Sequence, residues 1–129
     1  MREKLSTKWN HNSITKHQTK MKINDHPFTL IDWLTIEAKE YAGTTGSAFW
    51  KTVFLGEIRI RMVEYSWGYL ADHWCDKGHI IYCIDGEMTT ELKDGRKITL
   101  RKGMSYIVGD NSESHRTFTD KGARLFIVD

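Results

Sequence analysis

Four turn signals, Asp85-Gly86, Asp94-Gly95, Lys102-Gly103 and Gly109-Asp-Asn111, recur every seven to nine residues through the second half of the chain. Apolar and β-branched runs fill the intervals, and such runs between Asp-Gly or Gly-rich breaks are the spacing of hairpins. The same reading extended toward the start predicts strands at Phe28 to Asp32, Ile36 to Tyr41, Ala48 to Phe54, Glu57 to Tyr65, Leu70 to Cys75, Ile80 to Asp85, Met88 to Lys93, Arg96 to Leu100, Met104 to Val108, His115 to Thr119 and Arg124 to Val128. By propensity Ile36 to Tyr41 also suits a helical turn. About ten short strands in one unit point to an all-β sandwich or barrel.

A chain of 129 residues has room for one domain with one core. Its 40% hydrophobic, 28% charged and 12% aromatic residues are those of a soluble globular protein, and no run approaches the length of a membrane span. The formal net charge of +2 conceals an asymmetry. Residues 1–20 carry Arg2, Lys4, Lys8, Lys16 and Lys20 against Glu3, a balance of +4, so the remaining 109 residues sum to −2. Residues 1–20 therefore read as a basic N-terminal extension outside the core, with the domain proper at residues 21–129. They contain no secretory apolar segment, and their single arginine argues against an organelle transit peptide. A cytoplasmic location is expected. No aromatic or arginine-rich recognition pattern accompanies the basic residues, so neither nucleic acid nor membrane is an expected partner.

Chemistry concentrates between Asp72 and His79. On a strand, His73 and Cys75 point to the same face because side chains alternate. Past Gly78, a turn would start a strand that brings His79 back toward the same point, and His115 follows downstream. Imidazole and thiolate suit Zn, Fe, Ni or Cu, whereas Mg and Ca prefer oxygen. Four such ligands would make a closed tetrahedral site of the structural zinc kind; three would leave an open position at which chemistry is possible. Cys83 shares the parity of His79 and Ile81 and reads as a small core residue, and two cysteines in such different settings do not form a disulfide framework.

The spacing resembles the first cupin motif, in which His, any residue, His, three or four residues and Glu are followed by six residues and Gly. Here His73-Trp74-Cys75 is followed by three residues, His79, six residues and Gly86, with Cys75 at the usual second His and His79 at the usual Glu. A degenerate second motif runs from Gly103-Met-Ser-Tyr106 to Asp110-Asn-Ser-Glu113-Ser-His115, and the resemblance puts His115 at the fourth ligand position. The wording Ala71-Asp72-His73-Trp74-Cys75, Lys77-Gly78-His79 and Gly122-Ala-Arg-Leu-Phe-Ile-Val-Asp129 is similar to the small group of DHCW-motif cupins over residues 21–129. The resemblance implies a single-domain double-stranded β-helix, or jelly-roll barrel. It further implies one transition metal at His73, Cys75, His79 and His115, a small organic ligand or substrate, and pairing into a homodimer through exposed sheet edges.

Arg59, Arg61 and Arg116 are candidates for substrate contact, because guanidinium binds carboxylate or phosphate in a fork, and Tyr82 and Tyr106 are candidates for the cavity mouth. Against each stands a plain structural role: a solvated strand face for the arginines, the core for the tyrosines. Asp72 and Trp74, off the ligand face, read as a surface pair and as packing. Gly43-Thr-Thr-Gly46-Ser is a loop and not a phosphate cradle, since no Lys-Ser/Thr pair follows it. No paired carboxylates or nucleophile–base pair stand out beside the metal ligands. Two functions stay open: a metal-dependent enzyme of oxygenase, isomerase or lyase type, and a noncatalytic binding or sensing module, with or without structural metal.

Overall fold

The computed structural model describes residue 23 and residues 25–129. The expected boundary between residues 20 and 21 lies outside them. Eight strands follow a 3-10 turn at Trp33–Thr35: β1 (Lys39–Ala42), β2 (Ser47–Leu55), β3 (Ile58–Tyr65), β4 (His79–Leu92), β5 (Lys97–Arg101), β6 (Ser105–Val108), β7 (His115–Phe118) and β8 (Ala123–Val128). Among the described residues no helix is long and apolar enough to cross a membrane.

All pairings are antiparallel, and β4 organises them. The strands run β1-β2-β3-β8-β4-β5, with β6 and β7 also paired to β4. The first half of β4 pairs with β8 and β6, and its second half pairs with β5 and β7. One 14-residue strand thus belongs to two sheets, which is how a jelly-roll barrel closes without leaving a long free edge.

The two strands expected on either side of Asp85-Gly86 are therefore one. In place of a hairpin turn there is a register shift between Cys83 and Asp85, with the ladder resuming at Asp85 and Arg124 and continuing through Gly86 and Ala123. A bulge bends a strand and raises its twist, so the same local signal that starts a hairpin here carries β4 from one sheet to the other. Gly86 has φ 74°, and a Cβ there would stand 2.4 Å from the Gly122 carbonyl oxygen. Only glycine meets both demands. The signals at Asp94-Gly95, Lys102-Gly103 and Gly109 to Asn111 do sit between strands, with Gly95, Gly103 and Asn111 at positive φ.

Two other expectations fail locally. Phe28 to Asp32 joins no ladder; Asp32 instead caps the 3-10 turn, accepting from the Leu34 N–H at 3.1 Å. Leu70 to Cys75 touches β7 only at its ends, through bridges of Leu70 to Phe118 and Cys75 to His115. Four residues separate Leu70 from Cys75 while two separate His115 from Phe118, so residues between the bridges bulge off the sheet.

The core is formed by inward residues of β3, β4, β5 and β8: Val63, Ile81, Cys83, Met88, Leu100, Ala123, Leu125 and Ile127. Alternation sets it, since Ala123, Leu125 and Ile127 on β8 and Ile81 and Cys83 on β4 are inward positions. Met88, Leu100 and Leu125 are almost wholly buried, each contributing roughly 1.5–3 kcal/mol. Cys83, with none of its surface exposed, is the core residue its parity implies.

Candidate metal centre in the barrel mouth

The inward parity of β4 does not stop at Ile81. One step further is His79, the first residue of the strand, and it leaves the apolar core for the open end of the barrel. Gly78 fixes this entry: its N–H donates to Asp110 Oδ1 at 2.7 Å, and a Cβ on it would stand 2.5 Å from the Asp110 nitrogen. From the other side β7 presents His115, only 3% exposed. Cys75 faces His115 through a reciprocal pair of backbone bonds, Cys75 N to His115 O at 2.7 Å and His115 N to Cys75 O at 3.0 Å. Residues opposed in an antiparallel pair place their side chains together.

Three donors converge as a result. One ligand atom from each of Cys75, His79 and His115 lies within 4.8 Å of the others. The imidazoles meet edge to face, with ring centroids 4.9 Å apart and the two Nε2 atoms at 2.8 Å. Each Nδ1 has its own acceptor: the Glu113 carbonyl at 2.9 Å for His115, and Asp129 Oδ2 at 3.3 Å for His79. An Nδ1–H donated to an oxygen leaves Nε2 as the lone-pair nitrogen, the arrangement typical of metal-ligating histidines. Two lone pairs cannot face each other at 2.8 Å without an electrophile, a proton or a metal ion, between them. The donor set and its supports therefore fit a transition metal. The Cys75 thiol is drawn below its ordinary pKa by the neighbouring His115, against the opposing effect of burial, and His115 is raised by the same contact.

His73 stands outside this group. The parity that would align it with Cys75 requires a strand, and the bulge between the Leu70 and Cys75 bridges removes it. Its side chain is 73% exposed at the cavity edge, with Nδ1 2.6 Å from Asp72 Oδ1. Asp72 is thus the surface partner expected of it. Trp74 packs between Lys93 and Arg116, at 4.3 and 4.8 Å.

The donors open onto a cavity of about 320 Å³, whose walls include Trp50, Arg61, Tyr106 and Ile127. Arg59 and Arg61 lie on the inward face of β3 with Val63, so the solvated-face alternative does not hold for them. Tyr106 also faces inward, its hydroxyl 3.1 Å from Thr90 Oγ1. Tyr82 does not: lying between inward Ile81 and Cys83, it points to the outer face and is 44% exposed. Arg116 alternates with inward His115 and Thr117, and its guanidinium is taken by Glu91 at 3.1 Å under Trp74.

The residue that sequence reasoning missed is Asp129. Its carboxylate has no exposed surface, takes Arg59 in a two-point fork at 2.8 and 3.0 Å, and accepts from Arg61 Nη2 at 2.8 Å. Burial pushes this carboxyl up, but hydrogen bonds from His79 and Arg59 and the charge of Arg61 outweigh it and hold the group well below the usual carboxylate range. The signal was present in the alternation of Ala123, Leu125 and Ile127, which Asp129 continues.

No protein-family model matches the chain, and no curated protein matches it. Solved structures do. A predicted oxalate decarboxylase from Thermotoga maritima superposes with a TM-score of 0.66 at 14% identity, over 78% of this chain and 96% of that one. Ectoine synthase from P. lautus gives 0.64 at 18% identity, over 78% and 76%, and an RmlC-like cupin from Shewanella frigidimarina gives 0.62 at 18%, over 80% and 90%. At such identities the likeness is one of architecture, and the architecture is plain: the chain folds as a single-domain cupin-type β-barrel.

Proposed function

We propose that this chain is a metal-dependent cupin of the DHCW kind, holding one transition metal, Zn, Fe, Ni or Cu, through Cys75, His79 and His115, and acting on a small organic molecule in the adjoining cavity. The facing Nε2 atoms of His79 and His115, 2.8 Å apart with both Nδ1 atoms engaged elsewhere, carry this reading. Three protein donors beside a cavity are the pattern of a catalytic site, whereas a closed set of four is that of a structural one. A bound metal of this kind supplies Lewis acidity to a ligand from solvent or substrate. The chain's own residues do the rest: Asp129 and the Glu113 carbonyl orient the imidazoles, Ile81 and Ile127 keep the inner wall apolar, and Tyr106 offers a hydroxyl.

His73, at the cavity edge two residues from Cys75, is the remaining donor of the cupin register. Engaged as a fourth ligand it would close the sphere and favour the noncatalytic module. The reading further takes residues 1–20 as a basic extension outside the domain, the protein as cytoplasmic, and the assembly as a homodimer paired through sheet edges.

Elemental analysis of protein purified without added metal tests the site, with circular dichroism as the check on folding. About one transition metal per chain is expected, lost in His79→Ala and His115→Ala and retained in His73→Ala. Full retention in the His79→Ala/His115→Ala double variant overturns the assignment. Loss in His73→Ala instead identifies a four-ligand sphere and the module.

A further inference from the structure

Charge is buried in this barrel on the wall that carries Asp129. Alternation along β3 turns Arg59, Arg61 and Val63 to one side, and Val63 belongs to the core, so both guanidinium stems enter the interior. Arg61 is 5% exposed. A single carboxylate serves both arginines, and it serves them unequally. Arg59 takes both oxygens of Asp129 through Nε and Nη2, while Arg61 reaches only Oδ2 through Nη2.

The Nε of Arg61 is buried and meets no acceptor in the protein. The face of Trp50 lies 4.3 Å from its guanidinium carbon and attracts the charge, but a ring face does not replace an in-plane acceptor for that N–H. A buried donor on a charged group without a partner is costly, and native proteins rarely keep one without a use for it. Arg116, at the edge of the same cavity, also has a buried, unpartnered Nε, but its guanidinium is already paired with Glu91 at 3.1 Å, whereas Arg61 only shares the carboxylate that Arg59 holds in a fork.

The surroundings point the same way. Arg59, Arg61, Lys77 and Arg116 line the cavity, and no Asp or Glu does. At about 320 Å³ the space suits on the order of ten water-sized groups, which is a small molecule and not a polymer. Planar guanidinium N–H groups match a planar carboxylate in a way that a lysine ammonium does not.

We propose that the cavity beside Cys75, His79 and His115 binds small carboxylates, and that the Arg61 guanidinium is the group that recognises them through its free Nε–H. The proposal rests on the reading of this cavity as the ligand site and does not require the metal to be present. Since Arg61 shares Asp129 Oδ2 with His79, a carboxylate on Arg61 lies within one side chain of the ligand imidazole.

The test uses the full chain labelled with ¹⁵N at arginine Nε, in chelated and in zinc-loaded form. Malonate is the probe, and its neutral diamide, malonamide, is the control. The Arg61 Nε–H signal, assigned by its loss in Arg61→Lys, is expected to shift with malonate in both forms and to stay fixed with malonamide. By calorimetry, Arg61→Lys should weaken malonate binding at least tenfold while keeping a melting temperature near that of the parent. An unmoved Arg61 signal overturns the proposal, as does malonate binding by Arg61→Lys at the parent affinity. If Arg61→Lys fails to fold, the signal is assigned by through-bond correlation in the parent and the titration decides. Malonate bound only by the zinc-loaded protein, and equally well by Arg61→Lys, would mean direct metal coordination; that sinks the proposal and leaves the metal reading standing. Arg61-dependent binding by a chain that retains no zinc would do the reverse.

Discussion

The Asp129 carboxylate stands 3.3 Å from Nδ1 of His79, on the side of the imidazole away from His115, and the oxygen that makes this contact also takes Arg61 at 2.8 Å. The metal-side geometry of His79 and the charge balance of the β3 arginines therefore depend on one buried group. Asp129→Asn keeps the shape and removes the charge. Outer-shell partners of ligating histidines are typically worth ten- to a hundredfold in metal affinity, and uncovering a buried cation costs about 3–5 kcal/mol of stability. Both losses are expected together, the first by competition with a chromophoric chelator and the second by urea unfolding of the metal-free chain. An unchanged zinc affinity would detach Asp129 from the site.

Acid should act through the same carboxyl. Its pKa in the folded chain lies below that of an ordinary aspartate, near 3.9 when unfolded. The unfolded chain therefore takes up the proton first as pH falls, so the stabilisation is complete above the unfolded value and is lost as pH falls toward the folded one. Unfolding free energies of metal-free parent and Asp129→Asn should differ most above about pH 5, and the gap should narrow steadily as pH falls below the unfolded value near 3.9 toward the lower folded one. A constant gap across that range would show that Asp129 does not titrate with folding.

Most of the barrel was legible because alternation is a strong signal wherever one face of a strand is buried. The same rule correctly put Cys83, Ile81 and His79 on one side, and applied consistently it places Tyr82 outside and Asp129 inside. What alternation cannot foresee is where it is interrupted. The bulge before Cys75 leaves His73 at the cavity edge, outside the three converging donors, and the bulge before Gly86 fused two expected strands; both depend on pairing with β7 or β8, partners far away in sequence. Of the four expected ligands, the three that converge are anchored by ladders or by reciprocal bonds to β7, whereas His73 has only its neighbour Asp72. The arginines were hard to read for another reason. A charged residue on a strand normally faces water, and only the pairing of β3 with β8 brings Asp129 to compensate Arg59 and Arg61.

The two close glycines should separate fold from site. Gly86→Ala requires a left-handed backbone, about 1–2 kcal/mol for an L residue, and adds a Cβ clash with the Gly122 carbonyl. It should lower the melting temperature by several degrees or more. Gly78→Ala meets the backbone of Asp110 at the entry to β4, one residue from His79, so it should weaken zinc binding more, relative to its loss of stability, than Gly86→Ala does. The check is a pair of measurements on each variant, thermal unfolding without metal and zinc affinity. Equal ratios would mean that the Gly78 contact does not set the position of His79.

The two cysteines give the sharpest readout of the centre. Cys75 is half-buried beside His115, which draws its thiol below the ordinary pKa, whereas Cys83 has no exposed surface and burial pushes its thiol up. Thiolate is both the metal ligand and the reactive form. With zinc bound, labelling by a maleimide should be slow at both positions; after chelation Cys75 should react readily at neutral pH while Cys83 stays protected until the chain unfolds. Cys75→Ser should weaken zinc binding by a factor of ten or more and Cys83→Ser should leave it nearly unchanged, since a hydroxyl replaces a thiolate poorly on a soft metal. Protons compete with the metal for thiolate and imidazole, so zinc affinity should also fall as pH is lowered. Mass spectrometry after labelling locates the modified cysteine. Equal labelling of Cys75 before and after chelation would remove it from the ligand set and leave His79 and His115 as the pair that any metal must share.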